Sequence, residues 1–389
     1  MLEPVLILDA NQRSALAATR SLGRRGVPVV TADDTPETLA GASRYCRESF
    51  VYPSPYRAPA RFLAVVSAEA AARRIRTLLP MSEVTTHLLL RHRADLSGIR
   101  VPFGTFERLE ALTDKRSLDA LAKQLDIPVP ETRIVECPEQ ARIATVGLTY
   151  PVVMKPYRSR ICAEGAWIGA GVRYAASPAE LHRLAETVDV FRHHPFLVQE
   201  HVEGHGAGVF ALYDSGRAVT FFAHRRLRER PPSGGVSVLS ESVRLDPTMR
   251  ELSRRMLDHV EWHGVAMVEF KVRADGRPCL IEVNPRFWGS LQLAVDAGVD
   301  FPWLAYQLAT GARIDPISGY RIGVRNRWLL GDLDHTYLRW KGSTGIGAKC
   351  RAIAGLLRGF GPGTNHEVDR WDDFRPFLVE LKRYLTRQA

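Results

Sequence analysis

Two short stretches of this 389-residue chain place chemically capable side chains at informative spacings. Met267-Val268-Glu269-Phe270-Lys271 is followed by the turn Asp275-Gly276 and then by Leu280-Ile281-Glu282-Val283-Asn284-Pro285-Arg286. Two apolar runs joined through such a turn predict an antiparallel hairpin. Side chains two apart on a strand share a face, so Glu282 and Asn284 point the same way, and Glu269 on the partner strand can meet them. Two carboxylates and an amide oxygen on an apolar hairpin make a hard-cation site suited to Mg²⁺, with positions open for phosphate oxygens and water. The alternative is a pair of solvent-facing glutamates. The Met, Val, Phe, Leu and Ile flanks argue instead for a buried surface, where an unpaired charge is costly. Arg286, just past these residues, has a rigid fork that can hold a carboxylate or a transferring phosphoryl group.

Lysine occurs only at 115, 123, 155, 271, 341, 349 and 382, the rest of the 53 basic residues being arginine. Lys115 opens a helical stretch after Thr113-Asp114, and Lys155 ends the strand-like Val152-Val153-Met154-Lys155-Pro156. Either can act as a compact positive charge on a phosphate. The segment from Arg158 to Gly171, rich in Gly, Ser and Arg, reads either as a lid over phosphates or as a solvated hairpin tip. Between His224 and Ser237, arginines precede Gly234-Gly235, whose exposed backbone amides would suit an anion. Arg225 and Arg226 are therefore candidates for a substrate role. Cys162 has no surrounding histidine pattern to activate it and reads as incidental.

These residues must be positioned by several elements. Val5–Leu8 is an apolar run, 15–26 has helical spacing ending at Gly26, and Val27–Val30 leads to Asp33-Asp34. This strand-helix-strand order starts a parallel α/β sheet. Its first turn, Asp9 to Ser14, contains no glycine, which disfavours a dinucleotide-binding fold. Helices are expected near 60–77, 83–93, 115–125, 178–188, 247–261 and 287–310. A hairpin is expected over 206–224, and a strand at Phe196–Glu200. The chain divides into residues 1–105, 106–195, 196–315 and a C-terminal extension, 316–389, with no role legible in its sequence.

The composition, with about half the residues apolar and a quarter charged, is that of a soluble protein, and the length suggests two or three domains. No run approaches the ~20 apolar residues of a membrane span. The first residues read as a strand and not as a signal peptide, and the five scattered cysteines indicate neither disulfides nor a thiolate zinc site. A cytoplasmic location is the expectation. A net charge of +10 raises nucleic-acid binding. The arginines are spread without a basic tail or aromatic-basic alternation, and an anionic small substrate explains them equally well.

In order, these motifs resemble the ATP-grasp superfamily, in particular its carboxylate-amine ligase branch, of which carbamoyl phosphate synthase is a relative. The resemblance runs over about residues 5 to 310. It comprises Asp114-Lys115 before a helix and Ile127-Pro128-Val129-Pro130, the Lys155 strand, and Val198-Gln199-Glu200-His201-Val202-Glu203-Gly204. Glu269 and Glu282 follow, and Asn284-Pro285-Arg286 with Gly289-Ser290 closes the series. The resemblance implies an α/β pre-ATP-grasp domain (1–105), followed by α+β central (106–195) and C-terminal (196–315) ATP-grasp subdomains. It implies ATP held by Lys115 and Lys155, with backbone groups of Glu200 and Val202 on the adenine edge, Gln199 on its amine and Glu203 on the ribose. It further implies Mg²⁺, or Mn²⁺ in its place, on Glu269, Glu282 and Asn284, with Arg286, Arg225 and Arg226 serving the reacting groups. The long, basic segment after Lys155 departs from the family's compact glycine-rich loop. The expected reaction activates a carboxylate as an acyl phosphate and passes it to an amine, releasing ADP and phosphate. The expected partners are small molecules, with no nucleic acid and no membrane, and a homodimer is possible. The rival readings are a bicarbonate-activating carboxylase or carbamoyl-phosphate-type enzyme, and a nucleotide-binding regulatory module without ligase activity.

Overall fold

The computed structural model describes residues 2–387 except 164, 165, 170, 233, 318 and 362. Its first layer is a parallel sheet of β1 (Val5–Ile7), β2 (Val29–Asp33), β3 (Glu48–Val51) and β4 (Thr77–Leu79), in the order β3-β2-β1-β4. Every residue of β1, β2 and β4 is buried, as expected for parallel strands covered on both faces. Asp9, in the left-handed region at φ 57°, turns the chain out of β1. Its carboxylate accepts from the backbone N–H groups of Met81 and Ser82, both at 2.9 Å, which ties the end of β1 to the end of β4.

The second sheet contains β5 (Thr132–Val135), β6 (Val152–Pro156), β9 (Arg173–Ala175) and β10 (Phe196–Glu200), with β7 (Arg160–Ala163) and β8 (Ala166–Gly169) as a separate hairpin. The strand at 196–200, expected to open the C-terminal subdomain, lies between β5 and β6. Its apolar face completes the core built by Val152, Met154, Leu181 and Phe191. The β7–β8 hairpin docks on the N-terminal layer: Trp167 N–H donates to the Tyr56 carbonyl at 2.9 Å, and its ring meets His87 edge-on at 4.9 Å. Of the 158–171 segment, residues 164, 165 and 170 lie outside the described residues.

The third sheet has seven strands: β11 (His205–Asp214), β12 (Arg217–Arg230), β13 (Val236–Ser242), β14 (Gly264–Val272), β15 (Pro278–Asn284), β16 (Arg325–Arg327) and β17 (Thr364–His366), ordered β15-β14-β11-β12-β13-β16-β17. The expected metal hairpin is β14–β15, and the 206–224 hairpin is β11–β12. The segment after 316 is part of the body. β16 extends this sheet, and three helices, Leu329–Lys341, Ile346–Arg358 and Arg375–Arg387, accompany it. No helix among the described residues is long and apolar enough to cross a membrane.

Candidate functional site

The second and third sheets face each other across an open cleft of about 740 Å³, lined by Lys155, Gln199, Val202, Glu269, Glu282 and Asn284 among others. β14 and β15 set its floor. Their register puts Glu269 directly opposite Glu282, and Met267 opposite Asn284. The Asn284 amide nitrogen spans both carboxylates, 3.3 Å from Glu269 Oε1 and 2.9 Å from Glu282 Oε1. Its oxygen accepts from the Arg286 guanidinium at 3.0 Å, and Arg286 also bonds the Phe287 carbonyl at 2.9 Å. Arg226, from β12, donates to the far oxygen of Glu269 at 2.9 Å and pairs with Glu229 at 3.1 Å.

The electrostatics of the two facing carboxyls differ. Burial pushes the Glu269 carboxyl up, and the Glu282 charge opposite pushes it further, against the pull of Arg226. For Glu282, burial is outweighed by Lys115, the Asn284 hydrogen bond, Lys155 and Arg286, so its carboxyl stays below the usual range. Two half-buried carboxylates held face to face, with an amide that can turn its oxygen towards them, fit a divalent cation. Among the described residues no group of three or more His, Cys, Asp or Glu side chains comes together as a metal site, so two acids and an amide are what this fold offers.

Lys115 and Lys155, the two lysines expected to hold the nucleotide, reach the same region. Lys115 is the first residue of helix Lys115–Gln124, whose N-cap Asp114 accepts from the N–H groups of Arg116 and Ser117, and its ammonium donates to Ser159 Oγ at 3.0 Å. Lys155 points from β6 into the cleft and is only 8% exposed. Burial lowers its ammonium to about 8, with Glu282 opposing and Lys115 reinforcing the drop.

Gln199 near the end of β10 and Val202 in the linker after it face the cleft, and the Gln199 amide donates to Thr132 Oγ1 at 2.9 Å. Glu200 lines the rim with its carboxylate taken by Arg273, 3.2 Å on each oxygen, and its N–H spent on the Glu131 carbonyl. Any adenine contact by Glu200 must therefore use its carbonyl oxygen. Glu203 is exposed and does not line the cleft.

Arg225 is likewise not brought into the cleft. Strand alternation sends it to the opposite face of β12 from His224 and Arg226, where it pairs with Glu241, its Nε donating at 2.9 Å. His224 stacks on Phe210 at 4.6 Å and meets Ser290 Oγ at 2.8 Å, and burial holds its ring neutral, near 3. Sequence reasoning passed over three polar groups on the cleft wall: Ser237 Oγ, Trp288 Nε1 and His224 Nδ1 are buried without a hydrogen-bond partner among the described residues. Such groups are rare unless a ligand or water satisfies them. Their only sequence signal was proximity to the Gly234-Gly235 and Gly289-Ser290 turns.

Residues 192–328 match the family model described as ATP-grasp in the biosynthetic pathway with Ter operon. The carbamoyl phosphate synthase large chain of Acidobacterium capsulatum is 26% identical over 236 residues, 59% of this chain and 21% of that protein. The chain spans between about a fifth and three fifths of the length of the curated relatives it matches. Among solved structures, biotin carboxylase from Campylobacter jejuni, as a complex with β,γ-ATP, superposes with a TM-score of 0.66 at 16% identity, covering 82% of this chain and 74% of that one. The L-amino acid ligase of Bacillus licheniformis gives 0.62 at 16% identity, over 79% and 74%.

Proposed function

We propose, from the premise that this chain carries an ATP-grasp domain on an ATP-grasp fold, that it is a Mg-ATP-dependent ligase joining a carboxylate to an amine. The observation that carries this reading is the facing pair Glu269 and Glu282, bridged by Asn284 and surrounded by Lys115, Lys155, Arg226 and Arg286. Glu269, Glu282 and the Asn284 oxygen would hold Mg²⁺, which when bound neutralises phosphate charge and orients it for in-line transfer.

The protein's own groups do the rest by positioning. Lys155 and Lys115 hold the nucleotide phosphates, and Gln199 near the end of β10 with Val202 in the following linker takes the adenine. Arg286 and Arg226 stabilise charge as the phosphoryl group moves to the substrate carboxylate. The amine then attacks the acyl carbon and phosphate leaves, giving an amide without a covalent enzyme intermediate. Ser237, Trp288 and His224 can donate to the acyl group while the sheets exclude water.

The names of the relatives favour one second reading, in which bicarbonate takes the place of the organic acid. ADP release across a panel of carboxylic acids and amines, in buffer with and without bicarbonate, separates the two. With the responding acid, ¹⁸O from its carboxylate should appear in phosphate, and hydroxylamine should trap a hydroxamate. Label retained wholly in the organic product rules out the acyl phosphate.

A further inference from the structure

A second cavity, of about 690 Å³, adjoins the cleft, and Arg13 and Val236 line both. Its floor is the carboxyl edge of the parallel sheet. In the order β3-β2-β1-β4, the chain leaves β1 towards β2 on one side and returns to β4 on the other. A crevice at such a reversal is where open parallel sheets take ligands. Asp9 and Asn11 after β1, Ser82 after β4, and Asp33 and Asp34 at the end of β2 sit there. The facing wall comes from the C-terminal extension, through Trp328, Glu380 and Arg383.

Most charges in these walls are satisfied locally. Arg230 pairs with Asp334 at 3.0 Å, while Arg13 pairs with Glu367 and stacks 4.1 Å above the Trp328 ring. Asp9 is taken up by Met81, Ser82 and Thr85. Four charged groups are left without an ion pair among the described residues. Asp33 accepts from Asn11, at 2.9 Å on each oxygen, and the Asp34 carboxyl beside it pushes its own carboxyl up. Glu380 accepts from Trp328 Nε1 at 2.8 Å through one oxygen, while the other is buried with no partner. Arg383 donates only to neutral acceptors, Asn11 Oδ1 and Thr35 Oγ1. Burial raises the carboxyl of Asp33 to about 6 and that of Glu380 to about 7, consistent with acids lacking a cation.

Three carboxyls and one guanidinium without charged partners, in a cavity open to the nucleotide cleft, are the complement of a molecule carrying both an ammonium and a carboxylate. We propose that this cavity binds an amino-acid-like zwitterion as the amine substrate, its ammonium held by Asp33, Asp34 and Glu380 and its carboxylate by Arg383. The ligase reading gives the bound molecule its role. The binding itself can be read without nucleotide.

The test is calorimetry on the full chain without nucleotide, at mildly alkaline pH, with each common L-amino acid. For the tightest binder, its decarboxylated amine and its deaminated acid are titrated alongside. At least one amino acid should bind, and both truncated analogues should bind about tenfold or more weakly. Glu380→Gln and Arg383→Gln should each weaken the amino acid by a similar factor while leaving Mg-ATP affinity and the melting temperature in place. If either variant fails to fold, Asp34→Asn at an exposed position carries the same measurement. Binding of no amino acid, equal binding of a truncated analogue, or unchanged affinity in the variants overturns the proposal. Amino-acid binding without ADP release on adding Mg-ATP and carboxylic acids removes the ligase reading and leaves the cavity. ADP release with amines that lack a carboxylate does the reverse.

Discussion

Glu269 and Glu282 face each other in a half-buried site whose nearby cations stabilise Glu282 more than Glu269, so a dication between them would relieve the repulsion that Glu282 exerts on Glu269. Glu282→Gln removes half of that pair without changing its shape. ADP formation should fall by about 100-fold or more, and the melting temperature should hold or fall slightly, because Lys115, Lys155 and Arg286 lose a carboxylate they stabilise while Glu269 loses a repelling neighbour. Near-normal turnover at saturating Mg²⁺ would show that the metal sits elsewhere. Lys155 makes the second residue-scale prediction. Its ammonium titrates at about 8 instead of 10.5 because burial disfavours the charge. Mg-ATP affinity, measured across pH, should therefore be level below about 8 and decline above it as the lysine becomes neutral. In Lys155→Ala, binding should be weak and should lose this inflection. Lys382→Ala, whose side chain is exposed and paired with Glu37, should behave as wild type. The sign for stability is opposite. Between about 8 and 10.5 the unfolded chain binds more protons than the folded one, so this group's penalty on folding eases as pH rises through that window.

Among the elements, the β14–β15 hairpin was legible because alternation and a turn determine which side chains share a face, and Glu269, Glu282 and Asn284 meet accordingly. The placement of Phe196–Glu200 was not. A strand's own residues do not say which sheet it completes, and the helix Pro178–Thr187 beneath it decides that by packing. Arg225 and Arg226 show the same limit one residue at a time. Adjacent positions on β12 face opposite ways, and only the sheet's surroundings tell which way is inward. The extension's β16 has three residues, too few for a periodic signal. The linker after β10 carries an element-scale prediction through Gly204. Its φ is +149°, and a β-carbon there would lie 2.1 Å from the Val272 carbonyl oxygen, at the end of β14. Gly204→Ala must push the linker away from that strand. Urea unfolding should register a loss of about 1–3 kcal/mol, with weaker Mg-ATP binding from a displaced Val202. Unchanged stability and affinity would mean that the linker is not held against β14.

At the scale of the molecule, the C-terminal extension joins two bodies that the sequence presents as separate. It extends the third sheet through β16, and it grips the N-terminal layer through Arg20 of helix Arg13–Arg24. The Arg20 side chain is 1% exposed, and its guanidinium donates to the Asp373 carboxylate at 2.8 Å and to the backbone carbonyls of Glu367, Val368 and Asp373 at 2.6, 2.8 and 2.9 Å. Asp373 in turn accepts from Ser43 Oγ at 2.7 Å and from the Arg44 N–H at 2.8 Å, so one buried acid fastens the first helix and one loop of the first layer. The sequence hid this contact because its partners are about 350 residues apart. Breaking such a network from one side strands a buried carboxylate and three carbonyls, a loss of about 3–5 kcal/mol. Arg20→Ala should show that loss in equilibrium urea unfolding, with Arg20→Ala/Asp373→Asn recovering part of it because no unpaired charge remains. Because Trp328, Glu380 and Arg383 reach the second cavity from the same extension, Arg20→Ala should also weaken whatever binds there more than it weakens Mg-ATP. If Arg20→Ala unfolds at the wild-type urea concentration, the extension is an independently held appendage, and the cavity's far wall is not fixed by the first helix.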